Sequence, residues 1–250
     1  MSTKLQDMKS KLLLLAILLL FIPSQAMSAD DTDSQFWVDY DGYFYFRPNW
    51  EFYGDTGFRT VLETIEWQKI YIRPSIRYHV KDHPLEGRGG FGVFYTHNDT
   101  TSNQLELRPW GGLLVKWPKI VSLTISNYFR LEGRFIWNID DWSQSETLRF
   151  RYKVGTKIPL KRNAVEKYLY IPVSAEWFAN VGPDVAEVYS SRFRGSVGLG
   201  YIFNNIWVGE FHFTVQNSRS GSDQMFETND YIFRFQIKRF VSARDYMQRE

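Results

Sequence analysis

Cysteine is absent from all 250 residues. That excludes disulfide bonds, thiolate-ligated metal centres and a lipid anchor on an N-terminal Cys. Beyond the first two dozen residues there is also no apolar run approaching the roughly 20 residues that a membrane-crossing helix needs. Charge of one sign is scarce: the formal net charge is +2, and Lys4, Lys9 and Lys11 set against Asp7 account for it. Arg and Lys are spread evenly and interleaved with carboxylates, which argues against a nucleic-acid footprint. No Gly-x-Ser-x-Gly or other nucleophile signature occurs. His79, His83, His97 and His212 are not at metal-ligand spacing, and no acidic loop follows the calcium pattern. The sequence therefore predicts no catalytic, metal-binding or cofactor-binding residues and no enzyme.

What is present begins with a leader. Lys4, Lys9 and Lys11 precede the apolar stretch Leu12 to Ile22, which Pro23 ends, and small residues follow at Ser24-Gln25-Ala26 and Ala26-Met27-Ser28. This is the pattern of a cleavable signal peptide over residues 1–26, with cleavage between positions 26 and 29 left open. Residues 27–250 then form one exported domain, ending in a short extension at 241–250. Phe, Tyr and Trp make up 18% of the chain. Modest hydropathy with abundant aromatics is the composition of a membrane β-barrel, which carries its apolar surface on alternate residues.

Alternation of period two recurs along the chain, the mark of strands with two unlike faces. In Ile120 to Trp137, Val121, Leu123, Ile125, Phe129, Leu131, Phe135 and Trp137 share one face, and Ser122, Thr124, Ser126, Tyr128, Arg130, Glu132 and Arg134 the other. Ile70 to Val80 and Leu148 to Ile158 alternate as clearly. Weaker alternation marks Gln35 to Phe46, Trp50 to Arg59, Gly90 to Thr96, Gln104 to Val115, Tyr168 to Asn180, Arg192 to Phe203, Ile206 to Gln216 and Tyr231 to Lys238. Tight turns at Arg47-Pro48-Asn49, Trp117-Pro118-Lys119 and Asn204-Asn205 separate longer loops near Asn138 to Ser145, Val181 to Tyr189 and Asn217 to Thr228.

Eleven segments conflict with the even strand number by which bacterial single-chain barrels close antiparallel. The expectation is a single antiparallel transmembrane barrel of twelve strands, with one before Gln35, or of ten if Gly90 to Thr96 is no strand. The apolar face is assigned outward, because so many large side chains would overfill the interior of a barrel this size. Trp50, Trp117 and Trp207 beside the tight turns, and Trp137 beside a long loop, take interfacial girdle positions. The opposite face lines the lumen with Arg73, Arg77, Glu106, Arg108, Arg130, Glu132, Arg134, Arg149, Arg151, Glu176, Arg192, Arg194, Glu210, His212 and Arg234.

The order of Phe36-Trp37, Trp50 to Arg59, Leu131-Glu132-Gly133-Arg134-Phe135, Leu148-Arg149-Phe150-Arg151, Glu176-Trp177-Phe178-Ala179-Asn180 and Arg192-Phe193-Arg194 to Tyr201 resembles the bacterial domain-of-unknown-function family numbered 2490. That resemblance covers the mature chain and implies an outer-membrane β-barrel. It brings no assigned activity. The last strand departs from the usual pattern, since Val241 to Glu250 continue past the terminal aromatic Phe240. Implied partners are outer-membrane lipid and, during biogenesis, periplasmic chaperones and the assembly machinery; the oligomeric state is left open.

Two readings attach to the inward charges. Stacked guanidinium groups at Arg130, Arg134, Arg149 and Arg151 can act as an anion filter. Alternatively Glu106, Glu132, Glu176 and Glu210 hold neighbouring Arg residues and brace the wall, the favoured reading for a barrel of modest strand number. The functional expectation is passive passage of small anionic solutes across the outer membrane; the alternative is a plugged structural or adhesive barrel. A lipid hydrolase using His79 or His212 ranks third, because no nucleophile and base can be paired.

Overall fold

The computed structural model of the protein describes residues 32–118, 123–164, 167–181, 189–218 and 227–241. The leader, the C-terminal extension after Val241, and the tips of the loops near 181–189 and 217–228 lie outside the described residues. Eleven strands follow one another: β1 (Asp33–Arg47), β2 (Trp50–Val61), β3 (Trp67–His79), β4 (Leu85–Asn98), β5 (Gln104–Lys116), β6 (Ser126–Asn138), β7 (Gln144–Ala164), β8 (Lys167–Val181), β9 (Tyr189–Ile202), β10 (Trp207–Ser218) and β11 (Glu227–Phe240). Each pairs antiparallel with its sequence neighbour, and the sheet closes into a barrel where β1 meets β11.

That closing pair is parallel, from Asp33 opposite Asp230 to Tyr43 opposite Phe240. The expectation of an even, wholly antiparallel barrel is therefore corrected: the described residues form eleven strands, the weak Gly90 to Thr96 segment belongs to the 14-residue β4, and among the described residues no strand precedes β1. An odd count sends β1 and β11 in the same direction. Closure needs only unpaired N–H and C=O groups on both edges, and a parallel ladder satisfies them at slightly lower stability per residue. The seam also keeps face parity, with Trp37 opposite Arg234 and Asp39 opposite Gln236.

A second correction concerns the link between β5 and β6. The connection is longer than a tight turn: it runs from Trp117 to Ile125, with 119–122 outside the described residues, and β6 starts at Ser126 rather than Ile120. Pro118 has no N–H to offer a ladder, and β5 pairs with β6 only from Lys116 opposite Ser126 onward. Instead Trp117 N–H donates to the Ile125 carbonyl at 2.9 Å, and Thr156 Oγ1 donates to the Thr124 carbonyl at 3.1 Å. One rim, called here the turn rim, carries this link with the connections at 48–49, 80–84 and 203–206. The opposite loop rim carries 62–66 and 99–103, and the hairpin at 139–143, where Trp142 has a φ of 55°. There too, hydrogen bonds from the Ser34 side chain and backbone hold the Glu63 carboxyl below the usual carboxylate range.

The two wall faces differ in chemistry. Exposed Val38, Phe52, Ile70, Ile72, Phe91, Leu107, Leu131, Phe150, Leu199, Phe211, Phe235 and Ile237 cover the outside. Along outward positions with described side chains, Asp, Glu, Lys and Arg occur only near the rims, at Glu146 and at Arg47 and Arg239. Trp50, Trp117 and Trp207 are exposed at the turn rim, and Arg239 lies 5.5 Å from the Trp207 ring. Trp137 is the penultimate residue of β6, at the loop rim.

Inside, an apolar cluster of Tyr170, Ile202, Val208 and Phe240, with Tyr43 and Tyr168 packed against it, fills one side of the turn rim. Tyr43 stacks on Phe240 at 4.4 Å, across the β1–β11 seam. Gly200 makes room for Tyr170: a Cβ there would sit 2.3 Å from its ring.

Candidate functional site

The remaining interior is a cavity of about 1220 Å³ lined from all eleven strands. It follows from period two on a closed wall: once register is fixed, alternate residues of every strand share one enclosed space. Seventeen Arg and Lys side chains line this cavity against four Asp and Glu, namely Asp41, Asp55, Glu176 and Glu210. Of the residues nominated from sequence, Arg73, Arg77, Arg108, Arg130, Arg134, Arg149, Arg151, Glu176, Arg192, Arg194, Glu210, His212 and Arg234 line it. Glu106 and Glu132 share their inward parity but are buried in the wall behind the arginines.

Those carboxylates organise the cations. Glu106 receives Arg108 at 2.7 Å and Arg134 at 2.6 Å. Glu132, with no exposed surface, binds Arg130 at 2.9 Å and also Arg149. Glu176 binds Arg151 and lies 4.0 Å from Arg194. Glu51 receives Arg77 at 3.0 Å and Glu86 receives Arg88 at 2.6 Å, with His79 within 3.3 Å of both carboxylates. Arg73 pairs with Asp55, and Arg234 with Asp39.

Glu210 departs from the expected pattern. Its partners are Lys238 at 2.7 Å, His212 at 2.8 Å and the Tyr170 hydroxyl, not an arginine. The cluster at the turn rim explains this, since Tyr170 brings its hydroxyl to the β10 carboxylate while its ring joins the apolar plug. His212 is thus held by Glu210 within a polar network.

Sequence reasoning left out the acidic residues of the first four strands. Asp39, Asp41, Glu51, Asp55 and Glu86 are all buried on the inner face, and Asp230 of β11 with them. Their signal was parity: Asp39 and Asp41 alternate with the exposed Val38 and Tyr40. It also left out interior aromatics. Arg59 stands 3.9 Å from the Trp37 ring, Arg77 3.7 Å from Tyr53, Arg108 4.0 Å from Phe94 and Arg130 4.1 Å from Trp110. A ring face attracts a guanidinium and fixes its plane without neutralising it. The cavity surface is accordingly cationic and ordered.

A family model described as a protein of unknown function, DUF2490, matches residues 34–227. The chain belongs to this family. The match runs from the start of β1 to the first residue of β11, so the strand that closes the barrel lies almost wholly outside it. No curated protein and no solved structure matches the chain at a significant level.

Proposed function

We propose that the protein is an exported, non-enzymatic barrel of the bacterial outer membrane that passes small anionic solutes through its cationic interior. The observation that carries this reading is the inversion of the wall, apolar outside and charged within. In a soluble barrel the large apolar side chains turn inward. Here, burying the outer Phe, Leu, Ile and Trp side chains requires another apolar medium, and lipid supplies it. The strands have the reach: β2 and β10, the shortest, have 12 residues, against about 9–11 for a tilted membrane-spanning strand. The signal-peptide pattern and the aromatic rims agree with export and interfacial anchoring. Outer-membrane lipid and the assembly machinery are then its partners.

Cationic linings favour anions because each permeating charge meets fixed opposite charge in place of bulk water. The test is a planar-bilayer recording of the refolded protein under a KCl gradient. Discrete conductance steps with a reversal potential on the chloride side are expected, and Arg134→Glu should move that potential toward the cation side. Silence across voltages would overturn passage. A mature chain that stays monodisperse with full strand content in detergent-free buffer would overturn membrane insertion.

A further inference from the structure

The inward arginines are not scattered over the wall. Following the register from strand to strand, Arg77 of β3 lies opposite Arg88 of β4. Arg88 lies opposite Gly112, Gly112 opposite Arg130, and Arg130 opposite Arg151. Arg151 then faces Phe178, which faces Arg192 of β9. This single row of hydrogen-bonded neighbours carries five arginines and no carboxylate. Arg77 is near the turn-rim end of β3 and Arg192 near the loop-rim end of β9, so the row climbs obliquely through the cavity. With neighbouring strands about 4.8 Å apart, its six steps cover roughly 29 Å.

As wall bracing alone, such a row is poor design. Like charges directly opposite in a ladder destabilise it, and both Arg77/Arg88 and Arg130/Arg151 are such pairs. Glu51 of β2, opposite Arg77, ends the strip, and the other carboxylates that hold these arginines flank it: Glu86 and Glu132 sit two residues along β4 and β6, and Glu176 lies one row over, opposite Lys153. The two positions without a cation present rings to the cavity, Tyr128 over Gly112 and Phe178 itself. At Gly112 a Cβ would meet the Phe129 carbonyl at 2.6 Å and the Tyr128 ring at 2.9 Å, and Phe178 offers a ring beside Arg151. At the far end Arg192 has an Nε with no hydrogen-bond partner among the described residues.

We propose that this row is a binding track for a short linear polyanion, a chain whose carboxylate or phosphate groups repeat at about the spacing of the strands. The inference deepens the anion-passage reading and rests on it. A small anion meets one or two of these arginines at a time. A tethered series of anions engages them in turn, each contact raising the effective concentration of the next, which lifts affinity by about 100-fold or more over the free unit.

The test titrates the refolded protein in detergent micelles by tryptophan fluorescence, with Trp110, 4.1 Å from Arg130, as the reporter. The probes are tetragalacturonate, tetrapolyphosphate, monomeric galacturonate and neutral maltotetraose. Binding of either tetra-anion at least 100-fold tighter than the monomer is expected. Response to tetragalacturonate alone would identify an acidic glycan, and to tetrapolyphosphate alone a phosphate chain. Arg192→Gln, which leaves the nearby Asp230 its hydrogen bonds from Gln35 and Gln216, should weaken binding about tenfold, whereas Arg239→Gln on the outer wall should not. Equal affinity for monomer and tetramer, equal affinity for maltotetraose, or an unaltered affinity in folded Arg192→Gln would each overturn the track. The two proposals fail separately: silent bilayers with length-dependent binding remove passage and keep the track, while conductance without length dependence does the reverse.

Discussion

Glu132→Gln is the most informative single perturbation of the wall. The carboxylate has no exposed surface and binds two arginines, Arg130 at 2.9 Å and Arg149, whose side chains are 5% and 10% exposed. Removing one partner of a buried ion pair costs about 3–5 kcal/mol, mostly because the remaining charge stays buried without compensation. Two guanidinium groups are stranded here, which argues for the upper end. Both border the cavity, however, and can turn toward its water, which argues for the lower end. A loss of about 3 kcal/mol is expected, a factor of about 150 in the folding equilibrium. Urea unfolding in lipid vesicles, followed by tryptophan fluorescence, measures it. The rim variant Glu146→Gln should change stability by less than about 0.5 kcal/mol. Combining Glu132→Gln with Arg149→Gln should restore part of the loss, a coupling of about 1 kcal/mol or more. A Glu132→Gln protein within about 0.5 kcal/mol of the parent, or strictly additive single losses, would refute the claim that this carboxylate holds the guanidinium row in place.

Leu131→Arg puts a charge at the middle of β6 on the outer face; it should cost about 2–4 kcal/mol in vesicles, against about 0–1 for Trp137→Arg near the rim, and equal small losses would remove lipid from that face. Because the chain has no Cys of its own, Val38→Cys with Phe235→Cys tests the parallel seam cleanly. The two positions are register partners on the outer wall, so a short bifunctional thiol reagent should join them in folded protein on a denaturing gel; a folded but unlinked double variant would refute the eleven-strand closure.

Every strand of the barrel was visible as a periodic segment, because a wall with unlike faces imposes period two wherever it stands. The count itself was then overruled by the even-number rule, which describes how antiparallel barrels close but not what backbone groups require. No side-chain pattern marks a parallel seam, since parity across it is the same as across any other pair. Same-strand ion pairs were also legible: Glu106 with Arg108, Glu132 with Arg130, and Glu210 with His212 lie two residues apart and so share a face. Cross-strand partners were not. That Arg134 shares Glu106 with Arg108 depends on β5–β6 register, and that Glu210 takes Lys238 depends on β10–β11 register. Alternation ahead of Ser126 overstates β6 for a related reason, because its ladder with β5 begins only where Ser126 lies opposite Lys116.

Charge counting fails to anticipate the interior for a geometric reason. The chain as a whole is nearly neutral, yet the cavity surface is dominated by cations. Side-chain length resolves the difference. Asp39, Glu51, Glu86, Glu106 and Glu132 are buried and do not line the cavity, whereas their partners Arg234, Arg77, Arg88, Arg108, Arg134, Arg130 and Arg149 all line it, as the longer arginine side chain allows. The wall therefore behaves as a layered charge distribution, negative beneath and positive in front. An anion in the cavity approaches the positive layer first, and the low-dielectric barrel wall focuses that field instead of letting bulk water screen it. Balanced composition keeps the barrel assembled, and layering by side-chain length gives the same balanced set of residues a preference for one sign of solute.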